Sequence, residues 1–289
     1  MPNYPQNQRF DRPFFKKALK KSDHGSGLVP HHSASWRIWC GAQKATSWIL
    51  DVMFPKTCLG CGKFISKSDF DYICRKCFSE IEIKNSFECI GCKKETKFGL
   101  TCVFCRKENG IDQLLIAAKL TDPVDRIIKA FKYRFIPDMR KPLLVIAQKS
   151  IKKLLSKRFN LFEDNPLIAP IPLHKVRLNE RGFNQSWLIA KGIAGAFYLS
   201  SDENLLSKKY NFKHQANTKS REERLNNVKN NFVLSDPARI KERTVILVDD
   251  ICTTGATLNE CAKVLKNPPV GEGAKKVIGF VIARGQFKS

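Results

Sequence analysis

The residues most able to do chemistry follow a short apolar run near the C-terminal end of the sequence. Val245–Val248 leads into the paired carboxylates Asp249-Asp250, and the polar turn Thr253-Thr254-Gly255 comes next. Ala256–Leu265 then has a helical pattern, so the sequence predicts a buried strand, a tight turn and a helix N-terminus. The backbone N–H groups and dipole of such a helix bind phosphate, and threonine hydroxyls, including that of Thr257, add donors. The two carboxylates suit vicinal ribose hydroxyls or a hard cation such as Mg²⁺. The alternative is an ordinary strand–turn–helix unit with an acidic end.

A second polar set follows the proline-bounded apolar run Pro166–Pro172, which we predict to be a buried strand. The set comprises three cations, a glycine and two amides: Lys175, Arg177, Arg181, Gly182, Asn184 and Gln185. We predict that the three cations lie in one loop, where Gly182 permits an unusual backbone angle and the amides donate from the start of the next helix. Such a loop would form a cradle for pyrophosphate. A solvated basic loop is the alternative.

A third polar segment, His214–Arg224, has no apolar periodicity. Mobile lids that exclude water come from the less stable parts of a fold, and this segment has the composition of one. Closure would bring the cations Lys219, Arg221 and Arg224 onto bound phosphates. An exposed charged loop is the alternative.

Eight of the eleven cysteines form four CxxC pairs. The pairs are Cys58/Cys61, Cys74/Cys77, Cys89/Cys92 and Cys102/Cys105. In a reducing compartment this pattern predicts tetrahedral Zn²⁺ bound by four thiolates, at two structural sites. Sequential pairing would give two zinc ribbons, the first from the first two pairs and the second from the last two, and crossed pairing is the alternative. Reactive or redox thiols are a third interpretation.

Charge and hydropathy limit the classes of partner and location. The chain of 289 residues carries a formal net charge of +24, which favours polyanionic partners such as nucleic acid, anionic membrane or phosphorylated substrates. A merely basic soluble surface is the alternative. No run of 18 apolar residues occurs, which argues against a membrane-spanning helix, and no apolar h-region precedes Gly27, which argues against a signal peptide. We therefore expect a cytoplasmic protein.

Composition and periodicity divide the chain into four parts. We predict a disordered basic segment over residues 1–35, an amphipathic helix over 36–55, a double zinc ribbon over 56–106, and an α/β domain over 111–289. Strands alternate with helices in the last part, which predicts a parallel sheet with helices on both faces. The further strands are expected at Leu114–Leu120 and Val277–Ala283, and the further helices around Val124–Phe131, Leu143–Leu155 and Ser186–Tyr198.

The order of these motifs resembles that of the ComF family of late-competence proteins, across about residues 49–284. The resemblance rests on Phe54-Pro55 ahead of the cysteine pairs, the triplet Lys132-Tyr133-Arg134, the segment Arg181–Gln185, and Val245–Thr257. The last segment is similar to the phosphoribosyl pyrophosphate (PRPP) motif of type I phosphoribosyltransferases. The resemblance implies a type I phosphoribosyltransferase-like domain and a role in DNA uptake during natural transformation, with single-stranded DNA handled in the cytoplasm.

The resemblance also implies roles for individual residues. Asp249 and Asp250 would hold the ribose hydroxyls of PRPP, and the turn that ends at Thr257 would hold its 5′-phosphate. Arg177 and Arg181 would face the pyrophosphate, with Lys175 and the lid cations Lys219 and Arg224 nearby. The complete set expected to bind Mg²⁺-PRPP is Asp249, Asp250, Thr253, Thr254, Gly255, Ala256, Thr257, Lys175, Arg177, Arg181, Lys219 and Arg224.

Two main hypotheses follow for the activity. As an enzyme, the protein would transfer phosphoribose from PRPP to an acceptor that the sequence does not identify, with Asp249, Asp250 and Arg181 as catalytic residues. As a binding protein, it would sense PRPP or serve as a scaffold for single-stranded DNA, a helicase or another DNA-uptake protein. A third hypothesis is a zinc-ribbon adaptor whose larger domain is inert.

Overall fold

A computed structural model describes residues 57–65, 72–84, 87–107, 110–134, 137–157, 161–208 and 231–285. All of them belong to one compact unit that begins at Phe54. The predicted disordered segment over residues 1–35, the predicted helix over 36–55 and the predicted lid lie outside the described residues. None of the described helices is both long and apolar enough to cross a membrane.

A five-stranded parallel sheet forms the centre of the α/β domain. Its strands are β1 (Gln113–Ala118), β2 (Leu167–Pro170), β3 (Ser200–Ser201), β6 (Thr244–Cys252) and β7 (Lys276–Arg284). Their order is β1-β7-β6-β2-β3, and every neighbouring pair is parallel, so β6 is the central strand. The predicted parallel sheet is therefore confirmed. A separate antiparallel pair, β4 (Leu206–Lys208) with β5 (Phe232–Leu234), was not predicted from the sequence.

Helices cover both faces of the sheet. The helices are α1 (Arg75–Ser79), α2 (Val103–Arg106), α3 (Asp122–Tyr133), α4 (Arg140–Ser156), α5 (Lys175–Arg181), α6 (Gln185–Phe197) and α7 (Ala256–Lys266), with 3₁₀ turns at Lys97–Gly99, Pro137–Met139 and Pro237–Arg239. Successive residues of β6 belong to opposite hydrophobic clusters, as the alternation of strand side chains requires. Ile246 packs with α3, α4 and α6 on the first face, and Leu247 packs with α7 on the second face.

Two local predictions need correction. The cations Lys175, Arg177 and Arg181 do not lie in a loop, because Lys175–Arg181 is the helix α5. The His174 side chain accepts a hydrogen bond from the N–H of Val176 at the start of α5, and Gly182 ends it in the left-handed conformation with φ 74°, as its predicted unusual backbone angle implies.

The second correction concerns the central strand. The strand predicted over Val245–Val248 continues through both aspartates to Cys252, because its backbone keeps pairing with β7 as far as Arg284. Asp249 and Asp250 are therefore held by the sheet itself rather than by the turn that follows it. This placement makes their positions more rigid than a loop would.

The first CxxC turns of the two cysteine modules pack on opposite faces of the sheet. Leu59 and Phe78, beside the first two cysteine pairs, belong to the hydrophobic cluster of the first face. Ile90, between Cys89 and Cys92, belongs to the cluster of the second face, together with Leu258 of α7. Each module is thus anchored to the α/β domain by apolar side chains.

Candidate functional site

The paired aspartates lie at the carboxyl end of β6, the central strand, which is where ligands bind in parallel α/β sheets. Asp249 accepts two hydrogen bonds at Oδ1. One comes from the hydroxyl of Ser186 at 2.8 Å, and the other from the backbone N–H of Asp250 at 2.9 Å. Ser186 is in the first turn of α6, so this helix and the central strand together fix the orientation of the carboxylate.

The electrostatic environment of Asp249 disfavours its charged form. Part of its surface is accessible, but the surrounding protein desolvates the carboxyl group, and Asp250 adds a neighbouring negative charge. Burial first and the Asp250 charge second raise the pKa of Asp249 to about 7, against the opposing effects of Ser186 and Lys132. Asp249 therefore changes its charge close to neutral pH.

Asp250 has a different environment, because it forms an ion pair. Its Oδ1 lies 2.9 Å from Nζ of Lys132 in the last turn of α3, and the Asp250 side chain is only 6% exposed. Lys132 was noted in the sequence only within the Lys-Tyr-Arg triplet and was not assigned to the site. Neither Lys132 nor Ser186 could be paired with an aspartate from sequence, because each lies far from its partner along the chain.

The turn after β6 leads into the N-terminus of a helix, as the sequence predicts. Gly255 has φ 81° and is the N-cap of α7, while Thr254 Oγ1 accepts a hydrogen bond from the N–H of Ala256 at 3.3 Å. Thr253 is exposed, and Thr257 is half-buried in the first turn of the helix. The first turn of any helix has N–H groups without partners in the helix, so α7 presents donors beside the aspartates.

The helix α5 begins shortly after the carboxyl end of β2, the strand that pairs in parallel with β6. The cations of α5 therefore lie at the same end of the strands as the aspartates. Arg181 stacks over the Tyr133 ring at 5.3 Å and donates to Gln185 Oε1 at 3.0 Å. Tyr133 is the neighbour of Lys132, so this contact links Arg181 to the residue that pairs with Asp250.

The remaining predicted cations differ in placement. Lys175 and Arg177 are exposed on α5. Burial, and then the nearby charge of Arg177, lowers the pKa of Lys208 in β4, which places Arg177 toward the small antiparallel pair. Lys219 and Arg224 lie outside the described residues.

The eight paired cysteines form two groups that could hold metal. Cys58, Cys61, Cys74 and Cys77 make the first, and Cys89, Cys92, Cys102 and Cys105 make the second. Within each group, all four Sγ atoms lie within 4.8 Å of one another. This is the sequential arrangement, and it differs from the crossed one.

The spacing of the sulfur atoms fits zinc. A tetrahedral site with Zn–S bonds of about 2.3 Å places its sulfur atoms about 3.8 Å apart. The Sγ atoms of Cys61 and Cys74 are 3.9 Å apart, and those of Cys92 and Cys102 are 3.8 Å apart. The donor set of four thiols is also the one that structural zinc prefers.

The first cysteine of each group is prepared to be a thiolate. Burial raises the pKa of Cys58, but hydrogen bonds from the N–H groups of Cys74, Cys61 and Gly60 outweigh burial and lower it to about 7. The same balance lowers the pKa of Cys89 to about 6, with the N–H of Cys102 as the strongest donor. Because zinc binds thiolates, these N–H groups favour metal binding.

Comparison with known proteins agrees with this geometry. The sequence profile of the phosphoribosyl transferase domain matches residues 198–285, which include β6, the turn and α7. The chain is 28% identical to "Competence protein F" of Haemophilus influenzae over 219 residues, which is 74% of this chain and 86% of that protein. It is 31% identical to "Competence protein ComFC" of Streptococcus pneumoniae over 153 residues, which is 53% of this chain and 60% of that protein.

The fold, the two groups of four cysteines and the similarities lead to one assignment. A parallel α/β sheet with flanking helices follows the cysteine groups, and the domain match covers the acidic strand end. The chain is similar to competence proteins of the ComF family, and its C-terminal part matches the phosphoribosyl transferase domain.

Proposed function

We propose that this protein binds PRPP, together with Mg²⁺, at the carboxyl end of the central strand. The observation that carries the proposal is the acidic pair Asp249 and Asp250 directly ahead of the left-handed Gly255 turn and the N-terminus of α7. Carboxylates accept hydrogen bonds from the vicinal hydroxyls of ribose, and the turn donates to a 5′-phosphate three bonds away from the ring. The acids and the turn would therefore bind the hydroxyls and the phosphate of one sugar phosphate.

The pyrophosphate would extend toward α5. Arg181 is held there by Tyr133 and Gln185, and Lys175 and Arg177 lie on the exposed side of the same helix. Mg²⁺ would neutralise part of the pyrophosphate charge, and carboxylates are ligands of the kind that it prefers. The lid cations Lys219 and Arg224 belong to this proposal on the strength of the sequence alone.

As an enzyme, the protein would break the bond between C1 of the ribose and the pyrophosphate oxygen and form a bond from C1 to an acceptor. Asp249 and Asp250 would hold the ring, and Arg181 would stabilise the negative charge that develops on the leaving pyrophosphate. The alternative is a PRPP sensor or scaffold that binds the same ligand without turnover. Release of pyrophosphate separates these two proposals, and binding alone does not.

The test compares two double variants of equal charge. Asp249→Ala with Asp250→Ala removes both carboxylates of the site. The control, Glu242→Ala with Glu272→Ala, removes two exposed carboxylates that precede β6 and β7, at the end of the strands away from the site. Titration calorimetry with PRPP and Mg²⁺ should give saturable binding to the wild type and the control, and none to the site variant. Equal affinity of all three proteins would overturn the proposal.

We also propose that the protein acts in the cytoplasm during DNA uptake and contacts single-stranded DNA. Both similar proteins are named as competence proteins, and the net charge of +24 favours a polyanion. Two exposed aromatic side chains could stack on bases: Tyr133 is 64% exposed and lies 5.3 Å from Arg181, and Phe104 in the basic second cysteine module is 92% exposed. A helicase or another DNA-uptake protein is the partner proposed from the resemblance.

Salt dependence tests the DNA proposal. We expect the affinity for a single-stranded oligonucleotide to fall steeply between 50 and 200 mM salt, because each neutralised phosphate releases counterions, roughly 0.7 per contact. Phe104→Ala should weaken binding at every salt concentration without changing the slope, since it removes stacking and no charge. A flat salt dependence would contradict the proposal.

A further inference from the structure

The second cysteine module lies directly against the turn proposed to bind the 5′-phosphate. We call Cys89–Cys92 the second knuckle. Its Ile90 is 1% exposed and belongs to the same hydrophobic cluster as Cys252 and Leu258, which flank the turn. A Cβ atom placed on Gly255 would lie 2.6 Å from Cγ1 of Ile90 and 2.9 Å from its Cδ1. The Ile90 side chain therefore packs directly against the backbone of the turn at Gly255.

A buried arginine fixes the backbone of the same knuckle. Arg284, at the end of β7, donates from Nη1 to the carbonyl of Cys89 at 3.0 Å and from Nη2 to the carbonyl of Ile90 at 2.7 Å. Its side chain is only 5% exposed and also lies 3.3 Å from Glu88. A planar guanidinium can hold two carbonyls at once, which gives the knuckle a defined position.

Arg284 also adjoins the turn through the sheet. Its backbone is the register partner of Cys252, the last residue of β6, and the N–H of Gly285 donates to the carbonyl of Cys252 at 2.8 Å. The knuckle, the end of β7 and the turn are thus connected in a closed path of direct contacts. Two of the four sulfur ligands of the second cysteine group, Cys89 and Cys92, belong to this path.

We propose that zinc at the second cysteine group positions the PRPP turn through Ile90 and Arg284, so that zinc binding and PRPP binding strengthen each other. This inference rests on the proposed binding of PRPP. Zinc would order the knuckle, the knuckle holds Ile90 under Gly255, and a turn held in its binding conformation binds phosphate more tightly. By thermodynamic reciprocity, PRPP tightens the zinc of the second group by the same factor.

The first cysteine group supplies an internal control. Its knuckle, Cys58–Cys61, has Leu59 at the place that Ile90 occupies in the second, but Leu59 packs in the cluster on the other face of the sheet. The carbonyl of Gly60 in this knuckle accepts from Arg126 of α3, rather than from the strand that borders the turn. PRPP should therefore leave the first zinc unaffected.

The experiment follows zinc release from the full-length, zinc-loaded protein to the chromogenic chelator 4-(2-pyridylazo)resorcinol, with and without Mg²⁺ and PRPP. Free zinc in the same mixtures corrects for any direct effect of PRPP on the chelator. We expect PRPP to slow the release of one of the two zinc equivalents about tenfold and to leave the other unchanged. Calorimetry on the same samples establishes whether PRPP is bound.

Three variants locate the coupling. In Ile90→Ala, PRPP should no longer slow the release of zinc, whereas in the matched variant Leu59→Ala it should slow release as in the wild type. In Arg284→Lys the effect of PRPP should be smaller, because an ammonium group does not span two carbonyls. Ile90→Val provides a milder change if Ile90→Ala fails to retain two zinc ions. If PRPP binds but changes the release rate of neither zinc ion, the coupling is overturned and the proposed function is not. No binding of PRPP to the wild type would overturn the proposed function and the coupling with it.

Discussion

Replacing Gly255 by alanine should destabilise the protein by about 3 kcal/mol, and the structure provides two separate reasons. The residue has φ 81°, a left-handed conformation that costs a non-glycine residue about 1–2 kcal/mol. The added Cβ would also lie 2.6 Å from Cγ1 of Ile90, and overpacking of this kind costs about 1–3 kcal/mol. Ile90 is buried between the cysteine module and the turn, so it has little room to move.

Gly182 separates these two contributions. It has φ 74°, but no heavy atom of the described residues lies within 4 Å of the position of its Cβ. Gly182→Ala should therefore cost only about 1 kcal/mol, the conformational part alone. In an Ile90→Ala background, Gly255→Ala should also fall to about 1 kcal/mol, because the side chain that it contacts has been shortened.

Urea denaturation of zinc-loaded proteins, followed by circular dichroism, measures all of these free energies of unfolding. Equal losses for Gly255→Ala and Gly182→Ala would refute the reasoning, since the contact with Ile90 would then contribute nothing. An undiminished loss in the Ile90→Ala background would refute it as well. Loss of PRPP affinity in Gly255→Ala, without any loss of stability, would assign the glycine to ligand approach alone.

The other predictions concern the acidic pair and the metal. Asp249→Asn should raise the free energy of unfolding by up to about 4 kcal/mol at pH 8 and leave it unchanged near pH 4. The folded-state pKa of Asp249 is raised to about 7, so the wild type loses stability as pH rises from about 4 to 7. Denaturation at both pH values measures this, and equal effects at both would contradict it. Ser186→Ala should weaken PRPP binding about fivefold, the effect of one hydrogen bond of about 1 kcal/mol, whereas Ser200→Ala on the edge strand should not, as calorimetry would show. Elemental analysis should find two zinc ions per chain, and their removal should unfold the cysteine modules, since each site supplies about 10 kcal/mol.

Much of the fold could be predicted because its signals are local. The apolar positions Val124, Ile127, Ile128 and Phe131 recur with the helical period, and all four are buried in α3. Continuous apolar runs marked β2, β6 and β7 as strands of a sheet covered on both faces. CxxC spacing gave the two cysteine groups, although only the folded chain distinguishes sequential from crossed pairing.

The parts that were missed depend on contacts that sequence order does not record. The short helix α5 has no apolar face, and its start and end are set by His174 and Gly182, so a loop was the natural prediction for its basic sequence. The ion pair of Lys132 with Asp250 joins the last turn of α3 to a strand far along the chain. Likewise, nothing in the local sequence of Ile90 or Arg284 relates either residue to the turn.

A crystal structure of the zinc-loaded protein grown with PRPP and Mg²⁺ would test the central claim most directly. We expect the ribose hydroxyls within hydrogen-bond distance of Asp249 and Asp250, the 5′-phosphate at the N–H groups after Gly255, and the pyrophosphate toward Arg181. Density for PRPP at another place, or none at a concentration that saturates binding in solution, would contradict the account.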